Sequence, residues 1–208
     1  MEFVLVALRG PSNIEKKARE LQGTLYRRSG LSSALALPAI IPLCFASPPR
    51  IPATSAQLRE QLRRAVGREA PYLTGGPIAE CQGFLFWNLA PRRELQRLQR
   101  SCEKVFASPA AQPLDQETAQ QQDLFPVARG FFLCSLQGRN RDTVPTLELS
   151  ETLRFPVKAA SVLRVRTLGI DSGVGEKGVS AEEDRSLWKS LFWEKLEEIP
   201  LRKGGTSG

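Results

Sequence analysis

Phe3-Val4-Leu5-Val6-Ala7-Leu8, running on to Ser12-Asn13-Ile14-Glu15, is the stretch from which the fold is read. Unbroken apolar residues of that length have the form of a buried strand. Ser12 and Glu15 have the spacing of a capping box, in which a hydroxyl and a carboxylate satisfy the free amides at a helix start. Ile14, Ala18, Leu21 and Leu25 follow at helical spacing and make one apolar stripe. Gly30 punctuates the helix, and residues 35–45 read as a long extended segment ending at Pro48-Pro49. The first unit of the chain is therefore strand, helix, strand.

The same unit recurs further on. Thr54-Ser55-Ala56-Gln57 is a second cap-like start, and Leu58, Leu62 and Val66 mark a short helix. Residues 70–77, with Pro71, Gly75, Gly76 and Pro77, read as turn-rich. Gln82 to Leu89 is aromatic and apolar and reads as a strand. Pro91 opens a helix with Leu95, Leu98, Cys102, Val105 and Phe106 on one face, and Phe131 to Leu136 reads as a further strand. Blocks 3–45 and 82–136 thus look like a weak internal duplication. Residues 108–123, rich in Ala, Pro and Gln, read as a loop or linker within the second block, between its helix and its last strand. Ser161 to Leu168 alternates, with Arg164 and Arg166 on one face and Leu163 and Val165 on the other. Gly169 to Gly178 is a loop. Ser180-Ala181-Glu182-Glu183 is a third capping box, and Leu187, Trp188, Leu191, Phe192, Leu196 and Ile199 predict a carboxy-terminal amphipathic helix over 180–199, with 200–208 a flexible tail. Alternating strands and helices argue for an α/β or α+β domain rather than a sandwich or a bundle.

Composition narrows the chemistry. Of 208 residues, none is histidine. The commonest acid–base group near neutral pH and the commonest metal ligand are both missing, which excludes every mechanism built on Ser–His, Cys–His or a His–metal centre. Four cysteines without a Cys-x-x-Cys pair give no zinc signature, so no metal and no cofactor is expected. The apolar run from Ala34 to Ala46 is too short to span a bilayer and is broken by Pro38 and Pro42, and the amino terminus reads as a first strand rather than a signal peptide. A cytoplasmic setting with reduced thiols is the expectation, with no membrane contact. The net charge is +7, and residues 1–104 hold 16 Lys/Arg against 8 Asp/Glu. A basic front half is compatible with a polyanion such as RNA, although solvated helix faces account for it more simply.

Element order and apolar pattern over about residues 1–170 resemble the two-histidine phosphoesterases, the 2′-5′ RNA ligase / cyclic phosphodiesterase superfamily. Phe3–Leu8 and its helix are similar to that family's first strand and helix. Ile40-Ile41-Pro42-Leu43-Cys44-Phe45 stands where His-x-Thr-Leu-x-Phe is usual. Residues 83–91 and the Leu95/Leu98 helix resemble the middle strand and helix, and the segment from Phe125 through Gly130-Phe131-Phe132-Leu133 stands near the usual Pro-His-x-Thr-Leu. The resemblance implies an α+β fold: two pseudo-symmetric lobes of antiparallel sheet, helices packed outside, and a concave central cleft into which two His-x-Thr/Ser motifs face. In that family one histidine is the general base, the other the general acid, and the hydroxyls hold phosphate oxygens. Here the histidine positions become Ile40 and Gly130, and the hydroxyl positions Pro42 and Phe132. None of the four moves a proton or offers a side-chain hydrogen bond to phosphate. What the resemblance implies is a pseudoenzyme or a repurposed binding cleft.

Other residues remain as candidates. Strand periodicity puts Cys44 on the face of Ile40 and Pro42, and Cys134 on that of Gly130 and Phe132, as possible cleft thiols; small buried hydrophobes is the blander reading. Arg129, Arg164 and Arg166 at the cleft edge could clamp phosphates bidentately, or simply form a solvated strand edge; Arg139 and Arg141 fit the edge reading better. Trp188, Phe192 and Trp193 pack a core helix or present an aromatic patch to a partner. Three functions follow: a catalytically inactive phosphoesterase-like protein that retains RNA or nucleotide binding; a protein-interaction or structural module using the aromatic carboxy-terminal helix; and an enzyme of another chemistry, for which Cys44, Cys134, Glu80 and Asp142 form no supporting constellation.

Overall fold

The computed structural model describes residues 2–46, 55–66, 69–106, 126–136, 147, 152–167 and 189–203. Two four-stranded antiparallel sheets form the frame. The first contains β1 (Glu2–Arg9), β2 (Ile41–Ala46), β8 (Ala159–Thr167) and β9 (Leu191–Pro200), in the order β2-β1-β8-β9. The second contains β4 (Tyr72–Cys81), β5 (Phe84–Ala90), β6 (Gly130–Ser135) and β7 (Arg154–Pro156), in the order β6-β5-β4-β7. Helices α1 (Ser12–Ser29) and α2 (Ser33–Ala36) join β1 to β2, and α4 (Arg92–Phe106) lies between β5 and β6. Helix α3 (Ser55–Val66) packs beside α4, and a short parallel pair joins β3 (Glu69–Ala70) to β10 (Arg202–Lys203). Among the described residues no helix is long and apolar enough to cross a membrane.

The duplication seen in the sequence is present in the register. In the first sheet Val6 pairs with Cys44 and Ala7 with Pro42, leaving Leu43 as an extra residue in β2. In the second Leu85 pairs with Cys134 and Phe86 with Phe132, leaving Leu133 as an extra residue in β6. Each bulge bends its strand and shifts the alternation of side chains. Positions 42, 43 and 44 therefore correspond to 132, 133 and 134 in geometry as well as in order.

Each sheet divides its side chains between two apolar layers. Val4, Val6 and Leu8 of β1 and Leu85, Trp87 and Leu89 of β5 belong to the main core, with α1 through Ile14, Ala18 and Leu25 and α4 through Leu95, Leu98, Cys102 and Phe106. The alternate residues, Leu5 and Ala7 of β1 and Phe84 and Phe86 of β5, belong to a second cluster with Leu37, Ile40, Phe132, Leu163 and Val165. That cluster fills the space between the inner faces of the two sheets.

Several expectations are corrected. The Ser12–Glu15 capping box does not form. Pro11 occupies the cap position without a side-chain cap, and Glu15 instead accepts two hydrogen bonds from the Arg9 guanidinium, which raises the Arg9 pKa. Part of the extended segment 35–45 is helical, since α2 precedes β2. Residues 70–77, expected to be turn-rich, lie mostly within β4: a bulge between Gly75 and Ile78 accommodates Gly76 and Pro77, and Trp87 lies against the Gly75 backbone. Of the helix expected over 180–199, the part from Leu191 onward is a strand, Leu191–Pro200, while residues 180–188 lie outside the described residues. β8 offers an open edge, and ladder hydrogen bonds to it outweigh a helical spacing of apolar residues. β9 lies in the same sheet as β1, beside β8. Of the tail, Arg202 and Lys203 pair with Glu69 and Ala70. Residues 108–123, 169–188 and 204–208, with Arg139, Arg141 and Asp142, lie outside the described residues.

Candidate functional site

The two strands carrying the motif positions meet along a backbone seam. The Phe132 amide donates to the Ile40 carbonyl at 3.1 Å and the Ala128 amide to the Pro42 carbonyl at 2.8 Å. Ala128 adopts a positive φ of 53°, a region that residues bearing a Cβ seldom occupy, and it thereby turns its amide to Pro42. Side chains of the first lobe reinforce the seam. Gln22 donates to the Phe132 carbonyl at 3.1 Å, and the Ser33 hydroxyl accepts from the Ser135 amide at 3.0 Å and donates to its carbonyl at 3.3 Å. Gln22, Ser33 and Ser135 are all buried, so these bonds satisfy polar groups that water does not reach.

At the seam, Ile40 and Phe132 are 0% exposed. The Phe132 ring lies 6.0 Å from Phe86 in an edge-to-face arrangement and 6.3 Å from Phe84. Pro42 is buried. Gly130 is buried against the backbone of β5: a Cβ there would stand 1.9 Å from the Trp87 carbonyl oxygen and 2.9 Å from Asn88 Cα. Close strand approach, rather than an unusual dihedral angle, demands glycine at this position. A side chain at 130 has no room unless β5 moves, so the second position of the acid–base pair does not accommodate a histidine as the strands stand.

The cleft thiols are not where strict alternation put them. The bulges at Leu43 and Leu133 turn Cys44 and Cys134 away from Ile40 and Phe132 and into the main core beneath the helices. Cys44 hydrogen-bonds with Cys102 of α4, and that bond together with burial pushes its pKa well above the usual thiol range. A thiol held protonated in this way is a poor nucleophile.

The arginines divide differently from expectation. On β8, Leu163 and Val165 face the inner cluster, so Arg164 and Arg166 face the other side of the sheet. Arg164 pairs with Glu194 of β9 at 2.7 Å, and Arg166 is exposed. Arg129 is half-buried just before β6, and its carbonyl accepts from the Leu89 amide at 3.0 Å. The structure therefore does not bring Arg129, Arg164 and Arg166 together around a central groove. Of the aromatic residues assigned to the last helix, Phe192 and Trp193 are exposed on β9. Glu80 is half-buried on β4. Among the described residues no group of three His, Cys, Asp or Glu side chains stands close enough to hold a metal ion.

What sequence reasoning missed is the pair of phenylalanines that fills the space. Phe84 and Phe86 alternate with Leu85 and Trp87, and that period of two was the available signal that β5 has two apolar faces.

No protein-family model matches the chain, and no curated protein matches its sequence. Solved structures do match in fold. A protein of Thermus thermophilus superposes with a TM-score of 0.57 at 15% identity, covering 97% of this chain and 99% of that one. A crystallised phosphoesterase gives 0.54 at 12%, covering 98% and 100%. Escherichia coli LigT complexed with NADP+ gives 0.52 at 12%, covering 96% and 98%. Identity this low carries architecture and not activity. Matched over nearly its whole length, the chain has the fold of LigT and of the crystallised phosphoesterase.

Proposed function

We propose that this chain is a catalytically inactive protein of LigT-like fold, in which the space between the sheets serves as a second hydrophobic core instead of a substrate cleft. The carrying observation is the complete burial of Ile40 and Phe132 within the cluster that includes Phe84 and Phe86. Proton transfer needs a titratable group within hydrogen-bond reach of the reacting atom. The residues at positions 40, 42, 130 and 132 supply none. On this reading the protein acts as a structural or interaction module through its outer surfaces.

The test is turnover of a 2′,3′-cyclic nucleotide and ligation of 2′-5′ ends by the purified full chain. No rate above buffer is expected, and none from the Ile40→His/Gly130→His double variant. Turnover by the unmodified chain that disappears in Phe132→Ala would overturn the proposal.

Nucleotide binding without catalysis is the second reading, favoured by the LigT structure with NADP+. In this chain a nucleotide between the sheets would have to displace Ile40 and Phe132. Titration calorimetry with NADP+ and 3′-AMP separates the two readings. Saturable heat that Phe132→Trp abolishes supports the cleft reading, and its absence supports the closed core.

A further inference from the structure

The outer face of α4 carries an unbalanced basic stripe. Arg93, Arg97, Arg100 and Lys104 are all exposed. At 3.6 residues per turn they fall within an arc of about 60°. Leu95, Leu98, Cys102 and Phe106 are buried on the opposite side of the same helix. The cations therefore occupy the centre of the solvent face. Only Arg97 has an ion-pair partner among the described residues, Glu94 at 2.9 Å. Glu103 is engaged by Gln99 at 2.8 Å. Helix α3 lies alongside and adds exposed Arg59, Arg63 and Arg64. Glu197 and Glu60 occupy Arg59 and Arg64, and Arg63 has no ion-pair partner among the described residues.

An ordinary solvated helix face mixes signs, because like charges one turn apart repel. Here the sequence keeps one sign along about 16 Å of helix axis, taking 1.5 Å per residue. We propose that the α3/α4 face is a docking surface for the phosphate backbone of a nucleic-acid duplex. Three observations select that occupant. Six of the seven cations on the two faces are arginine, whose planar fork meets phosphate oxygens two at a time. Among the residues whose exposure is described, none of the large exposed apolar ones, Tyr26, Leu35, Tyr72, Phe192 and Trp193, lies on either helix. The face thus lacks the insertion residues of a membrane-binding helix and the aromatic anchors of a protein interface. It also lacks rings on which unpaired bases stack, which favours a duplex over a single strand. The surface lies on the far side of α4 from the sheets, and it does not depend on whether the inner space is closed.

The experiment is fluorescence anisotropy with the full chain and labelled 20-base-pair duplexes of RNA and of DNA, from 50 to 200 mM salt. Four phosphate contacts predict a logarithmic salt slope of about −3.6, or affinity about 150-fold weaker across that range. The variant R93Q/R97Q/R100Q/K104Q is expected to remove most of the binding at 50 mM, and Arg100→Gln alone to reduce the slope by about 1. The matched control K16Q/R19Q/R27Q/R28Q makes the same change in net charge on α1 and is expected to retain binding. Far-UV circular dichroism checks that each variant is folded, and the single variant keeps the test informative if the quadruple variant is not. Tighter binding to one duplex assigns the source as RNA or DNA. The proposal is overturned by no binding to either duplex at 50 mM salt, by equal loss in the α1 control, or by capture on phosphatidylglycerol vesicles without duplex binding.

Discussion

Replacing Gly130 by alanine adds a single methyl group, and the structure predicts a large loss of stability from it. In an unconstrained strand position glycine to alanine is stabilising by about 0.5–1 kcal/mol, because the unfolded chain loses freedom. At 130 the new Cβ would lie 1.9 Å from the Trp87 carbonyl oxygen, and ordinary contact begins at 3.4 Å. Strands β5 and β6 must therefore part by about 1.5 Å, against a normal separation of about 4.8 Å. Overpacking of this kind costs typically about 1–3 kcal/mol. Loosening the two nearest ladder bonds adds about 1 kcal/mol each. A loss of about 3–5 kcal/mol follows, a large share of the roughly 5–15 kcal/mol that holds a domain together. Urea titration gives the free energy, and thermal melting should show Tm lowered by about 6–20 °C at 2–4 °C per kcal/mol. Gly23→Ala is the internal control. It lies in α1 with only Arg27 Nη1 near, at 3.7 Å, and should be stabilising by about 1 kcal/mol. If Gly130→Ala melts at or above the unmodified chain, the close approach of β5 to β6 is not a feature of the protein in solution.

Phe132→Ala should cost about 3–5 kcal/mol by the cavity it leaves between Phe84 and Phe86, measured by urea unfolding; a loss under about 1 kcal/mol would mean the inner space is not packed. A thiol reagent at neutral pH should reach only Cys81 of the four cysteines before unfolding, because Cys44, Cys102 and Cys134 are buried; rapid modification of Cys44 in the folded chain would contradict its raised pKa. Lys195 donates to Glu198 at 2.8 Å and lowers its pKa from the usual glutamate value, burial opposing and Arg9 and Lys158 adding attraction. A depressed carboxyl pKa contributes stability above the unfolded value and loses it as pH falls through the folded one. Glu198→Gln should therefore be slightly less stable than the unmodified chain at pH 7 and converge with it in acid, the exposed pair keeping the effect small. A difference that persists unchanged at pH 3 would contradict this sign.

The fold was legible where side-chain pattern and backbone geometry agree. β1, α1, α4, β6 and β8 all follow from apolar period, and the repeated strand–helix–strand order anticipated the two matching sheets. It was illegible where a tertiary contact overrides local preference. Gly75, Gly76 and Pro77 look like turn residues, yet β4 runs through them because Trp87 needs the uncovered backbone of Gly75 and a bulge absorbs the rest. β9 has apolar residues at helical spacing but is held by its neighbour β8. The candidate site suffered from one physical assumption, that a strand alternates without interruption. The bulges at Leu43 and Leu133 break that alternation, so Cys44 and Cys134 were assigned to the wrong face. Arg164 and Arg166 were correctly separated from Leu163 and Val165, but pattern alone does not say which face of β8 looks inward.

The seam between β2 and β6 has a mechanical consequence. Two-lobed molecules commonly hinge, because few bonds cross between their halves and relative motion is cheap. Here backbone bonds from Phe132 to Ile40 and from Ala128 to Pro42, with the Ser33–Ser135 and Gln22 clasps, join the halves along the line where a hinge would open. Opening it would expose the inner cluster to water and break buried hydrogen bonds in the same movement. The two lobes are thus a record of duplication in architecture while behaving as one unit, and they should unfold together in a single cooperative transition.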